Sequence, residues 1–350
     1  MNANLQRGNN MNEEIRQITE ERVDPEIEKR KLKRTYNICG FALVVLVVLS
    51  KVVGSVVDAI AMSSEAVAIF LSRYILLTNS FVVGAAIIGA ALLLKFIPKT
   101  QPIRKKLSVK EFITYVFIAF GVSCIGNLIT QFFTNFVYFV SGIELSDRVS
   151  AAIGSVAPWQ SFVCVVILAP IMEEFFFRKL LIDRMYKHGE LLAILTSAAF
   201  FGLYHQNIYQ LLPTFAAGLV LGYIYSKTGS YLYVTVLHAI YNFVGVFPVI
   251  FNPKLAEFAQ MSTDQLAALP AEIYAEYRAV MLLYWICIII TGVINIIGIV
   301  LFIINRNKFP VERNAPALLE SDKREIIVRT PGIAIAGIAM ILLTIYSLFI

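Results

Sequence analysis

From residue 36 onward the chain alternates long apolar runs with short polar ones. A helix needs ~20 mostly apolar residues to cross the hydrocarbon of a bilayer. By that measure the pattern predicts spans over 36–61, 74–97, 109–141, 159–181, 190–206, 209–226, 231–251, 279–305 and 330–350. The expected fold class is all-α, a polytopic transmembrane helical bundle of about nine spans (eight to nine). The fifth and sixth runs are short and closely coupled. Residues 1–34 are polar and highly charged, without the short basic and then apolar stretch of a cleavable signal peptide. They read as a cytosolic charged tail, helical in part. Residues 252–278 read as an outer loop, in which Ser262 or Thr263 caps a short helix beginning near Asp264.

Composition agrees. A chain of 350 residues with 58% hydrophobic and 15% charged residues is a membrane protein rather than a soluble domain. The four cysteines (Cys39, Cys124, Cys164, Cys287) fall in predicted spans without CxxC spacing, which points to small apolar packing and not to a disulfide framework. The formal charge of +6 reads as membrane orientation, so no nucleic-acid partner is expected. With the amino terminus in the cytosol, inner segments receive Lys95, Lys99, Arg104, Lys105 and Lys106, then Arg178, Lys179, Arg184 and Lys187. Lys227 follows, and then Arg306, Lys308, Arg313, Lys323, Arg324 and Arg329, while outer segments keep Arg73, Arg148, Lys254 and Arg278. This is the asymmetry of the positive-inside rule. A multi-pass protein of the cell membrane is expected, in contact with membrane lipid.

Polar residues inside apolar runs carry the functional information. In the third span Asn127, Gln131, Thr134 and Asn135 share one helical face, expected to look into the bundle as interhelical hydrogen-bonding groups or as a substrate groove. In the sixth, Gly218 and Gly222 form a GxxxG arrangement, expected to be an internal packing seam. Ionisable groups in a bilayer cost several kcal/mol unless paired or wetted, and by default mark a functional site. Four stand out here: Glu173, Glu174, His205 and His238.

The fourth span ends Pro170-Ile-Met-Glu173-Glu174-Phe-Phe-Phe-Arg178. Pro170 removes a backbone donor and loosens the turn before the acids. Glu174 and Arg178, four apart, can pair along one face, whereas Glu173 points about 100° away. As interfacial charges these residues would snorkel, a reading that suits Arg178 and Lys179. Glu173 should lie roughly 12 Å inside if the span ends near Leu181, where low dielectric favours a base active near neutral pH. His205 follows Phe201 by four residues in the fifth span, and His238 precedes Asn242 by four in the seventh. A membrane histidine serves as readily for helix–helix hydrogen bonding as for catalysis. Asn242 shares a face with His238 and can donate to an oxyanion without burying a charge. Counted along the helices, His238 lies roughly 10 Å from Tyr231 and His205 roughly 22 Å from Glu190, so for the residues to meet, helices four and five must project into the cytosol.

Together the three elements, Glu173-Glu174-Phe-Phe-Phe-Arg178, Phe201 to His205, and His238 to Asn242, resemble the motifs EExxxR, FxxxH and HxxxN. These belong to the CAAX-processing and bacteriocin-processing endopeptidase family (CPBP, or Abi), related to the type II CAAX prenyl endopeptidases. The resemblance covers about 155–245. It implies a helical intramembrane endopeptidase opening to the cytosol and cutting a membrane-associated protein or peptide. Catalytic residues would be Glu173 activating water, His205 holding it, and His238 with Asn242 polarising the carbonyl. Glu174 and Arg178 would support them. Glu173, His205 and His238 can also be drawn as a three-ligand zinc site with an open position, although the spacing equally allows a metal-free base. The domain reading follows: 1–34 tail, 35–154 accessory helices, 155–251 catalytic core, 252–278 outer loop, and 279–350 C-terminal helices with a cytosolic loop at 306–329. Two alternatives stand beside it. One is a non-catalytic scaffold or bacteriocin-immunity protein of this fold, acting through the charged tail and 306–329. The other is a proton- or ion-coupled transporter using the buried acids and the polar face of the third span, disfavoured by the motif order and the lack of internal repeats.

Overall fold

The computed structural model describes residues 25–102, 105–143, 145, 153–251, 254–258, 261–311 and 320–348. The readings made for residues 1–24, Arg104, Arg148 and Arg313 lie outside the described residues. Every element among the described residues is helical. In chain order they are α1 Pro25–Ala61, α2 Glu65–Arg73, α3 Ile75–Leu94, α4 Val109–Ser141, α5 Pro158–His188, α6 Glu190–Tyr204 and α7 Ile208–Thr228. Then come α8 Tyr231–Phe251, α9 Lys254–Phe258, α10 Thr263–Ala267, α11 Ala271–Asn305, α12 Glu320–Val328 and α13 Pro331–Tyr346.

Helices α1, α3, α4, α5, α7, α8 and α11 are each long and apolar enough to cross a membrane. α12 and α13 meet at a 61° bend and together make an eighth candidate. The chain is a multi-pass membrane protein. The expected fifth span departs from the count. α6 has 15 residues, about 22 Å of helix against the ~30 Å hydrocarbon core. It stops because the residue after His205, Gln206, takes φ 49 and turns the chain.

Two other boundaries move. The charged stretch before residue 35 is helical from Pro25, and it docks: Glu28 Oε1 lies 2.9 Å from His188 Nδ1, and Thr35 Oγ1 lies 3.1 Å from His188 Nε2. Within 252–278 the structure has α9 and α10, with Ser262 capping α10 in a reciprocal box with Gln265. α11 then begins at Ala271, eight residues before the predicted start.

Aromatic and aliphatic side chains of α5, α6, α7 and α8 form the packed centre around the site, including Phe176, Phe177, Phe201, Leu221, Tyr225 and Leu237. In lipid, such packing is driven by close contact and hydrogen bonds rather than by escape from water. The Gly218 seam is internal, since a Cβ there would lie 3.1 Å from Ala198 Cα and 3.2 Å from Phe201 Cδ1. Polar ties lock one end of the bundle. Tyr225 donates to Asp183 Oδ1 at 2.7 Å, Ser226 to Glu190 Oε1 at 2.6 Å, and Lys227 pairs with Glu190 Oε2 at 2.7 Å. The α6 end is thereby level with the α7 end, so α6 does not project past its neighbour.

The polar face of α4 only partly looks inward. Thr134 is buried, whereas Asn127, Gln131 and Asn135 are exposed, Asn127 on the wall of the cavity that holds the histidines. Gly126 permits this by letting α4 approach α7, where a Cβ would lie 2.7 Å from the Leu212 carbonyl carbon.

Candidate active site

α5 is not a uniform α-helix. It runs π over Phe162–Leu168, α over Ala169–Glu174 and π again over Phe175–Ile182. Wide turns of this kind cluster at functional sites. The first one accommodates Pro170. Ala169 N–H bonds back five residues to Cys164 O, and the next bond in that register would join Pro170 to Val165 O. Proline has no N–H to give. Asn242 Nδ2 donates to Val165 O instead, at 2.9 Å. Asn242, expected as a free oxyanion donor, therefore has one amide hydrogen committed to α5 and a second remaining.

The acid pair is anchored from the other side. Glu174 and Arg178 are both 0% exposed, with Arg178 Nε 3.0 Å from Glu174 Oε2. Arg178 Nη1 donates to Ser197 Oγ at 2.9 Å, Ser197 donates to Phe177 O at 2.7 Å, and the guanidinium lies 4.8 Å over the Phe201 ring. Burial of two charges is tolerable only with such additional partners. Glu174 Oε1 accepts from His238 Nδ1 at 2.9 Å. An ionised carboxylate only accepts, so the proton of neutral His238 sits on Nδ1 and its Nε2 lone pair is directed elsewhere. That nitrogen lies 3.7 Å from Glu173 Oε2. The distance exceeds a hydrogen bond, so the two groups face each other without a direct bond.

His205 caps the end of α6, where its Nδ1–H donates to Phe201 O at 2.8 Å. This also leaves Nε2 free. Phe201 stands between the two histidines, edge-to-face to His205 at 4.9 Å and to His238 at 5.6 Å between centroids. The different depths counted along α6 and α8 are thus bridged by a phenyl ring one turn back from His205. Both histidines and Asn242 line a cavity of about 250 Å³ together with Asn127, Tyr209 and Gln210. Glu173, with 15% of its side chain exposed, joins through His238. Among the described residues Glu173 and His205 make no hydrogen bond or ion pair with each other.

The trio drawn as zinc ligands is not assembled as one. Among the described residues no group of three His, Cys, Asp or Glu side chains is placed to hold a metal ion. As placed, Glu173, His205 and His238 do not fit a three-ligand centre.

Two contributors escaped the sequence reading: Ser197, which steadies Arg178, and Tyr204, which lies within electrostatic reach of Glu173. Phe201, read there as the first residue of the FxxxH element, packs against both histidine rings. Ser197, Phe201 and Tyr204 stand at i, i+4 and i+7, so the helical period marks them as one face, although it does not say what that face meets.

Residues 155–244 match the family described as Type II CAAX prenyl endopeptidase Rce1-like. Comparison with curated proteins and with solved structures returns no match. The matched stretch contains the acid pair and its arginine, both histidines and Asn242, and it supports a protease of the CAAX type at the level of the family. The match over residues 155–244 thus makes this part of the chain similar to the Rce1-like, CAAX-protease-like (CPBP) family.

Proposed function

We propose that the protein is an intramembrane endopeptidase that hydrolyses a peptide bond in a membrane-associated protein or peptide. The observation that carries this reading is Glu173 placed 3.7 Å from the free nitrogen of a histidine whose other nitrogen is fixed by a buried acid–arginine pair.

In the proposed reaction a water gives one hydrogen bond to a histidine Nε2, that of His205 or of His238, and directs its other hydrogen to the Glu173 carboxylate, to which it loses that proton. Its oxygen bonds to the scissile carbonyl carbon. The developing oxyanion is met by the second Asn242 amide hydrogen. Breaking the C–N bond returns the proton from Glu173 to the leaving amine, so protons balance over the cycle. Glu174 and Arg178 take no part in proton transfer; they hold the His238 tautomer. The proposed orientation puts the amino terminus and the Arg178 end of α5 in the cytosol, supported by the distribution of basic residues, and opens the site to that side. Prenylated proteins, signalling peptides and bacteriocin-like peptides are the substrate classes that the family suggests.

The test compares membrane proteomes and purified protein for wild type and Glu173→Gln. Cleavage should fall by at least ~100-fold, the scale of one general base, with the melting temperature retained. Unchanged cleavage refutes the assignment. Full complementation by both Glu173→Ala and His205→Ala would establish the scaffold role instead.

A further inference from the structure

A second cavity, of about 510 Å³, lies where α4 begins and α7 and α11 end. Its rim carries Lys105, Lys110, Lys227 and Lys308 against one carboxylate, Glu111. That carboxylate is engaged: Oε2 accepts from Ser108 N at 2.8 Å and from Ser108 Oγ at 2.9 Å, and Oε1 lies 3.4 Å from Lys105 Nζ. Lys227 is held by Glu190. Among the described residues Lys110 and Lys308 have no ion-pair partner. Beneath the lysines Tyr115, Tyr223 and Phe309 pack ring to ring, with centroids 5.4 to 6.2 Å apart.

A basic rim with two unpaired lysines above an aromatic floor, at the ends of three membrane helices, sits at headgroup level. Amphipathic rings favour that level, and lysines there attract anionic lipid. We propose that this cavity binds the headgroup of an anionic phospholipid, with its phosphate between Lys110 and Lys308 and its upper acyl chain on Tyr115, Tyr223 and Phe309. Soluble phosphate shares the charge but would leave the aromatic floor uncovered. None of these residues belongs to the proposed catalytic machinery, so the site stands independently of the protease reading.

The full-length protein in phosphatidylcholine nanodiscs with a minor fraction of phosphatidylglycerol tests it, with retained lipid read by native mass spectrometry. The pair K110Q/K308Q should retain about 25-fold less phosphatidylglycerol, from about fivefold per lysine near a surface. K31Q/K33Q, which removes two exposed lysines of α1 at the same end of the bundle, should retain as much as wild type. Equal loss in both pairs, or loss in neither, overturns the proposal. Complete displacement of the lipid by inorganic phosphate also overturns it, because the acyl chain would then contribute nothing.

Discussion

Arg178→Met keeps an aliphatic stem in place of the arginine and removes the guanidinium. Glu174 would then stay fully buried with His238 Nδ1 as its remaining hydrogen-bond partner, and Ser197 would lose its 2.9 Å donor. Removing one partner of a buried ion pair costs about 3–5 kcal/mol, chiefly from the stranded charge. Adding Glu174→Gln removes that charge too, so the double variant should recover about 1–2 kcal/mol relative to the sum of the two single changes. Thermal unfolding in detergent can be followed with a thiol-reactive dye, because Cys39 and Cys164 are 0% and 4% exposed in the folded protein. At a few degrees per kcal/mol, the single variant should melt about 10 °C below wild type. Melting within roughly 1 °C of wild type, or strictly additive losses in the double variant, would refute the view that this pair is the electrostatic anchor of the site.

Gln206→Gly relieves a left-handed residue at φ 49 and should raise stability by about 0.5–1 kcal/mol, read in the same melt; a fall would show that the Gln206 side chain matters more than its backbone. Gln210 lines the histidine cavity in the first turn of α7, the end of that helix away from Lys227, so cytosolic access requires that a Gln210→Cys thiol in sealed vesicles be reached across that depth by a reagent added at the cytosolic face. Reaction from the opposite face alone would put the mouth there. Active purified protein should hold zinc well below one ion per chain and resist chelators; stoichiometric zinc lost in His205→Ala would replace the metal-free reaction.

The spans were legible because crossing a bilayer imposes a length on apolar runs, which no tertiary contact can waive. α6 was overestimated for a local reason: 190–206 is apolar almost to its end, but hydropathy does not register that Gln206 turns the backbone. The Glu174–Arg178 pair was readable from its four-residue spacing. The Glu174–His238 bond joins residues 64 apart, and motif order names the helices without saying which atoms meet. Likewise Pro170 announces an orphaned carbonyl, while only the register of the wide turn makes it Val165 and only α8 packing supplies Asn242. The inward reading of the α4 polar face held for Thr134 and failed for Gln131 and Asn135, with Asn127 exposed on the cavity wall, because helical periodicity locates a face but not how far along it the neighbours extend.

The wide turns on either side of the two acids have a consequence for how this segment tolerates insertions and deletions. Each accommodates an extra residue, so a one-residue deletion between Phe162 and Leu168 could restore ordinary coiling with little loss of backbone bonding. A deletion within residues 169–172, a stretch that holds no extra residue, would instead swing everything upstream by about 100° relative to Glu173 and Glu174. The aim of the carboxylates is therefore stored in a tally of positions as much as in any side chain, and scanning deletions would expose a dependence that scanning substitutions would miss.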